Sequence, residues 1–152
     1  MTKMVVETHK NIYVQTFALF TLLAGATIKY MDNRFFREYD LSFVKYSVLR
    51  ALVRNGGTLK HTQLAGWTNT KKHNITALVD RMKEDQLVST EWSQLDRRVN
   101  NVVITEKGKK LYEQANPLAR EMVEQIMNGM KEKDVEDFER LLNIIKANIE
   151  HN

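Results

Sequence analysis

The sequence predicts a mainly α fold carrying one small β-hairpin, an α+β class. Three observations point there. Apolar residues recur at spacings of three and four in long stretches near both ends of the chain. Between them two short helical patterns stand close together, the second polar and basic at its start. Two β-prone runs, Leu87 to Trp92 and Val99 to Thr105, follow directly, with a polar loop between them.

The first element is a long helix from His9 to Arg37. Phe17, Phe20, Ala24, Ile28, Met31 and Phe35 form its apolar stripe, and Gly25 is its weak point. The apolar run Phe17 to Ile28 is too short for a bilayer span, which takes about 20 residues. With Lys3, Lys10 and Ala24-Gly25-Ala26 it loosely imitates a secretory signal. Glu7 in the would-be basic region, and Asn11 and Gln15 ahead of the run, argue instead for a buried helix and no membrane contact.

Asp40 fits the N-cap of a second helix, with Leu41, Val44, Val48, Ala51 and Leu52 inward. Asn55-Gly56-Gly57 stops it, and Thr58-Leu59-Lys60 is a connector. Thr62 to Trp67 gives a helix of two turns at most. Asn69 or Thr70 caps the next, which turns Ile75, Leu78, Val79 and Met82 inward. Thr70, Lys71, Lys72, His73, Asn74 and Thr76 lie on its outward face. A short helix, a turn and a polar, basic helix make a helix-turn-helix, and the hairpin after it is a wing.

Glu106-Lys107-Gly108 begins a third long helix, striped by Leu111, Ala115, Leu118, Met122 and Ile126. Pro117 inside it predicts a kink or a break. Asn128-Gly129 ends it, and Asp134 opens a last helix with Val135, Phe138, Leu141, Leu142, Ile145 and Ile149 apolar. The organisation is an N-terminal dimerisation helix (1–40), a winged helix-turn-helix DNA-binding domain (41–110) and C-terminal dimerisation helices (111–152). A central domain of 70 residues cannot cover apolar faces this wide. Burial against a second copy, as a two-fold dimer, is the economical solution.

Composition narrows the chemistry. The 152 residues include no cysteine. This excludes a disulfide scaffold, cysteine-ligated zinc, iron–sulfur clusters, a thiol nucleophile and thiol redox sensing. It fits a reducing compartment, and a cytoplasmic location is expected. The net charge of +4 is unevenly placed. Residues 41–110 hold 13 Lys and Arg against 6 Asp and Glu, a balance of +7, and the remainder is at −3. A basic centre suits phosphate contacts, which dominate nucleic-acid affinity, although a solvated surface carries the same charges. His9, His61, His73 and His151 form no close ligand pair, so no metal is expected. No nucleophile elbow, phosphate loop or paired carboxylate motif is present, so neither an enzyme nor a cofactor is expected.

The stretch Asp96-Arg97-Arg98-Val99-Asn100-Asn101-Val102-Val103-Ile104-Thr105-Glu106-Lys107-Gly108 resembles the wing signature of the MarR family of bacterial and archaeal winged-helix transcription regulators. That signature is Asp-x-Arg, a strand, then Leu-Thr-x-x-Gly, and here Ile104 replaces the leucine. Ile75 to Met82 is similar to the end of the family's recognition helix, and Leu64-Ala65 fits the helix before it. Asn128-Gly129-Met130 and the acidic-apolar helix after it resemble the C-terminal dimerisation helix. The resemblance spans about residues 10 to 150. Gln86 stands where the family often has glycine, which calls for a strained backbone or a different turn. The start Lys71-Lys72-His73 is unusually basic.

The resemblance implies a homodimeric transcription regulator, a repressor, binding double-stranded DNA at a pseudo-palindrome through two recognition helices in successive major grooves. Asn69, Thr70, Lys71, Lys72, His73, Asn74 and Thr76 are then candidate contacts. Lysines suit phosphate or guanine, and Asn74 suits adenine. Arg81 reaches phosphate, or pairs with Asp80 or Asp85. In the wing, Asp96 orients Arg98 while Arg97 or Gln94 touches DNA, an arginine there entering a narrow minor groove. The alternative is that both arginines only stabilise the hairpin. Family members bind small, often aromatic anions between the dimerisation helices and the winged helix. Tyr30, Arg34, Tyr46 and Trp67 would line such a cleft for a phenolic effector, the alternative being that Tyr46 and Trp67 are core. The competing functional class is a protein-interaction module that uses a winged helix without DNA.

Overall fold

Asn11 starts the first helix of the computed structural model, which describes residues 11–94 and 100–151. Its side-chain oxygen accepts from the backbone N–H groups of Tyr13 and Val14, an N-cap, and α1 runs from Ile12 to Tyr39. α1 closes at Asp40, whose N–H donates to the Phe36 carbonyl at 3.1 Å and whose φ is 50°. Asp40 is therefore the end of the first helix and not the cap of the second, correcting the expectation. Aspartate is among the few non-glycine residues that accept the left-handed region, so it serves the turn, and the cap falls two residues on. Ser42 fills it, its hydroxyl accepting from the Lys45 N–H at 3.2 Å, and α2 runs from Phe43 to Arg54.

The Asn55-Gly56-Gly57 stop is observed. Gly57 N–H donates to the Leu52 carbonyl at 2.8 Å, with φ at 74° and 91° on the two glycines. The expected connector is a strand, β1 (Thr58–Lys60), followed by α3 (His61–Trp67) and α4 (Lys72–Glu84). β2 (Val88–Trp92) and β3 (Asn100–Ile104) form the hairpin, antiparallel from Val88 opposite Ile104 to Trp92 opposite Asn100. β1 joins the other edge of β3, with Thr58 opposite Val103, and the sheet order is β1-β3-β2. A three-residue strand with one apolar side chain has too little periodicity to be read locally.

α5 spans Glu106–Ile126 and α6 spans Glu132–Glu150. α5 passes through Pro117 without ending, so the expected break does not occur. Proline removes one helical hydrogen bond, at a cost of about 3 kcal/mol. Buried Ala115, Leu118 and Ala119 hold the helix on both sides of it. α6 starts earlier than expected. Asp134 does not open it but reaches back, its Oδ2 accepting from the Lys131 N–H at 2.9 Å.

The chain divides into two compact units, Met1–Ala119 and Arg120–Asn152. In the first, Phe35, Leu41, Val48, Leu49, Leu52, Leu64, Val79 and Val102 are fully buried. The Phe35, Tyr46 and Tyr112 rings stack in sequence, with centroids 4.7 and 5.7 Å apart. Ile75, Leu78, Val79 and Met82 face inward on α4 as expected. α1 differs. Only Met31 and Phe35 of its residues are buried, and Phe17, Leu22 and Leu23 lie more than half open in the single chain. The expected buried helix is thus an exposed one. At 28 residues it is long and apolar enough, by length and composition, to cross a membrane, so the argument from the shorter apolar run does not hold for the whole helix. In the second unit, α6 has no buried residue, and Phe138, Leu141, Ile144 and Ile149 are exposed.

Candidate nucleic-acid interface

The helix-turn-helix is held from below by α3. Leu64 is fully buried, the Lys60 N–H donates to Gln63 Oε1 at 2.9 Å, and His61 Nδ1 lies 3.2 Å from the Asn100 carbonyl oxygen. The last of these ties α3 to the loop end of the β2–β3 ladder, where Asn100 stands opposite Trp92. The turn that follows is built by the residues expected to cap α4. Asn69 takes a φ of 48°, and the Thr70 N–H donates to the Ala65 carbonyl at 2.9 Å. The Thr68 and Thr70 hydroxyls donate to the carbonyls of Leu64 (2.8 Å) and Thr68 (3.1 Å). Asn69 and Thr70 are therefore turn residues. Lys71 occupies the N-cap with no side-chain cap bond. The turn needs one left-handed residue, which Asn supplies, and the Thr70 hydroxyl is spent inside the turn.

Lys71, Lys72, His73, Asn74 and Thr76 are all exposed along the outer face of α4, opposite the buried stripe. The Thr76 hydroxyl donates to the Lys72 carbonyl at 3.2 Å. Without a side-chain cap, the first N–H groups of α4 keep their positive helix end directed outward, next to two lysines. Arg81 is exposed further along. The acidic partners suggested for it are engaged elsewhere: Asp80 lies 3.6 Å from Lys83, and Asp85 lies 2.6 Å from Lys45. Gln94 is exposed at the start of the wing loop, and Asp96, Arg97 and Arg98 lie outside the described residues. Trp92 ends β2 at 65% exposure. The alternation that buries Val88 carries Trp92 past the edge of the core, a position that strand periodicity alone did not distinguish.

The rear of α4 is fastened by contacts between residues remote in sequence. Gln86 has a φ of 63°, the strained left-handed backbone, one of the two alternatives that its replacement of glycine left open. The Leu87 N–H donates to the Met82 carbonyl at 2.9 Å. The Thr105 hydroxyl lies 2.7 Å from the Gln86 carbonyl and 3.0 Å from that of Leu87, and accepts from the Gly108 N–H at 3.0 Å. A Cβ at Gly108 would lie 2.2 Å from the Leu87 carbonyl oxygen. The Thr-x-x-Gly spacing is thus a latch between the end of α4 and the start of α5. Lys107 Nζ also donates to the Asp85 carbonyl at 2.8 Å.

The four candidate effector residues lie on three elements, Tyr30 and Arg34 on α1, Tyr46 on α2 and Trp67 on α3. Tyr46 is core, and its hydroxyl donates to Asn116 Oδ1 at 3.0 Å. Burial, and then the neighbouring Tyr112, raise its hydroxyl above the ordinary tyrosine value. Trp67 is not core. It stands 54% exposed on α3, beside Gln63 and Gly66. Tyr30 and Arg34 lie on α1, with Arg34 3.7 Å from Glu38. A cavity of about 760 Å³ in the first unit is lined by none of the four.

No family model matches the chain. It is 33% identical over 133 residues to the HTH-type transcriptional repressor IacR of Pseudomonas putida, a match covering 86% of this chain and 79% of that one. The structure of the transcriptional regulator BldR from Sulfolobus solfataricus matches with a TM-score of 0.77 at 26% identity, over 91% of this chain and 99% of that one. A MarR family regulator of Streptomyces coelicolor solved in complex with DNA has a TM-score of 0.82, over 87% of this chain and 84% of that one. At 17% identity it speaks for the fold.

Proposed function

This chain belongs to the MarR family of winged-helix transcription regulators, which bind DNA and are not enzymes, and from that premise we propose that it is a homodimeric repressor of a pseudo-palindromic operator. The observation that carries this reading is the outer face of α4. Lys71, Lys72, His73, Asn74 and Thr76 stand exposed together on a helix whose positive end has no side-chain cap. Such an end takes a phosphate through its open N–H groups, with Lys71 and Lys72 beside it. His73, Asn74 and Thr76 then face base edges, where Asn74 suits adenine. Asn69 and Thr70 set the angle of the helix and touch backbone. Arg81 holds a phosphate, and in the wing Asp96 orients Arg98 while Arg97 or Gln94 touches DNA at the minor groove.

Residues 41–110 do this work and the flanks dimerise. The dimer reading is supported by the open apolar faces of α1 and α6, which water alone leaves uncovered. The protein works in the cytoplasm, with no membrane partner. A small phenolic acid is the proposed effector, received by Tyr30 and Arg34. Tyr46 contributes packing behind the core and leaves the effector set, and Trp67 contributes only if the partner copy closes over it.

The test is binding to the protein's own upstream intergenic DNA against random duplex, titrated across salt. Tight, sequence-preferring binding with a steep negative log–log salt slope is the expected outcome. Equal affinity for both duplexes would sink the operator reading. Salt-insensitive or absent binding would favour the protein-interaction module.

A further inference from the structure

We propose that the fold makes Asn128 a self-modifying site, where attack by the Gly129 main-chain nitrogen converts the side-chain amide into aspartate and isoaspartate. Two asparagines of the chain precede a glycine, Asn55 and Asn128. The glycine matters because any other side chain there would crowd the approach of the nitrogen to Cγ. Asn128 and Gly129 are both exposed, in the turn between α5 and α6. A Cβ placed on Gly129 would meet no atom within 4 Å, so the approach is open.

The two sites differ in how firmly they are held. At Asn55 the side-chain amide donates to the Ala51 carbonyl at 2.7 Å. The N–H groups of Asn55 and Gly57 both donate to the Leu52 carbonyl, at 3.1 and 2.8 Å, and the Gly57 carbonyl accepts from the Ile104 N–H at 2.9 Å. Asn55 Cγ cannot turn toward Gly56 without breaking the side-chain bond. Asn128 is under no such hold. Its side chain makes no hydrogen bond among the described residues, and neither does the Gly129 N–H. The Asn128 N–H lies 3.4 Å from the Gln125 carbonyl, and the Met130 N–H lies 3.2 Å from that of Met127. Both are at or beyond the long end of the ordinary range.

The reaction needs only water. Hydroxide takes the Gly129 N–H proton, the nitrogen bonds to Cγ, and the Cγ–Nδ2 bond breaks as ammonia leaves with a proton from water, which restores the hydroxide. Water then opens the cyclic imide. Entry at Cγ leaves aspartate. Entry at the main-chain carbonyl leaves isoaspartate, whose main chain runs through Cβ and Cγ. The net change is amide and water to carboxylic acid and ammonia. Either product adds a negative charge to residues 120–152, which already hold eight Asp and Glu against five Lys and Arg. Isoaspartate also lengthens the main chain by one carbon within Met127–Met130, so the 3.2 Å bond closing that turn breaks and α6 leaves it along a different line. The consequence is a weaker dimer. It rests on the dimer reading given above, whereas the modification does not.

The experiment ages the full chain in mildly alkaline buffer made with heavy-oxygen water, digests it and reads the Asn55 and Asn128 peptides by mass. Enzymatic methylation of isoaspartate identifies the second product. The Asn128 peptide is expected to take up heavy oxygen at least about fivefold faster than the Asn55 peptide, the factor that one hydrogen bond is worth. In urea, where neither turn is held, the two rates are expected to converge. Uptake at Asn55 as fast as at Asn128 in the folded chain, a difference that persists in urea, uptake without isoaspartate, or no uptake at Asn128 would each overturn the site. Aged wild type is expected to dissociate more readily in sedimentation equilibrium than aged Asn128→Gln, an exposed change that removes the reacting group. Equal dissociation of the two would overturn the consequence alone. A fresh wild type that is already monomeric counts against the dimer reading and leaves the site intact.

Discussion

Gln86 holds a left-handed backbone at the point where the recognition helix passes into the wing. For a side chain with a Cβ, this conformation costs about 1–2 kcal/mol. Gln86→Gly should therefore raise stability by about 0.5–1 kcal/mol after the added flexibility of the unfolded chain is counted, read as a higher urea midpoint. A lower midpoint would mean that the glutamine side chain contributes more than the strain removes. Tyr46 gives a pH-dependent counterpart. Its burial beside Tyr112 raises the hydroxyl above the ordinary value of 10.0, so the folded state holds the proton more tightly than the unfolded chain. The stability this brings is complete below about pH 10 and is lost as pH rises through the raised folded value. The Tm of the wild type should accordingly fall faster above pH 10 than that of Tyr46→Phe. Parallel curves would contradict the assignment. The φ of Gln86 was half legible, because a glutamine at a position where the family often has glycine left a strained backbone and a different turn both open. The depth of Tyr46 was not, because aromatic residues near a helix start serve cores and clefts equally.

At the scale of elements, the helices were legible and their caps were not. Periodicity marks a helix over many residues, but Asp40 and Ser42 are both good cap residues, and only the path of the chain decides between them. The same contest recurs at Asn69, Thr70 and Lys71. There the turn takes the residues with capping side chains and leaves α4 without one. β1 and the Asp85 fastening escaped the sequence for a second reason. Thr58 meets Val103 and Lys45 meets Asp85, and nothing local announces a partner so far along the chain. The outer face of α4 was readable because its inner face is apolar at regular spacing. Lys72→Ala should weaken binding to operator and random duplex alike and reduce the log–log salt slope by about one. A slope equal to that of the wild type would remove Lys72 from the phosphate contacts.

For the whole molecule, the decisive quantity is apolar surface left in water. Leu22 stands 69% exposed on α1, and Leu141 is 49% exposed on α6. Each lies among other open apolar side chains of its own unit. Faces of this kind mark surfaces that associate. Leu22→Glu with Leu141→Glu should convert a dimer into a monomer in sedimentation equilibrium, with loss of tight operator binding and retention of weak binding to random duplex. A sedimenting mass unchanged by the pair would place the contact elsewhere. A lipid-bound wild type would instead make α1 a membrane helix, as its length and composition allow. Neither charge nor periodicity chooses between a partner copy and a bilayer, since both present an apolar environment to the same stripe.

The three-residue strand β1 has a reach beyond its size. By pairing Lys60 with Asn101 it closes about 40 residues into a ring that contains α3, α4 and β2. Closing such a ring costs the chain roughly 3 kcal/mol of freedom, which three rungs of backbone pairing and the packing beneath them must outweigh. The reading head is thus a clasped loop. When the clasp opens, its helices become exposed to solvent exchange together, as one unit, while the stacked rings of Phe35, Tyr46 and Tyr112 stay closed.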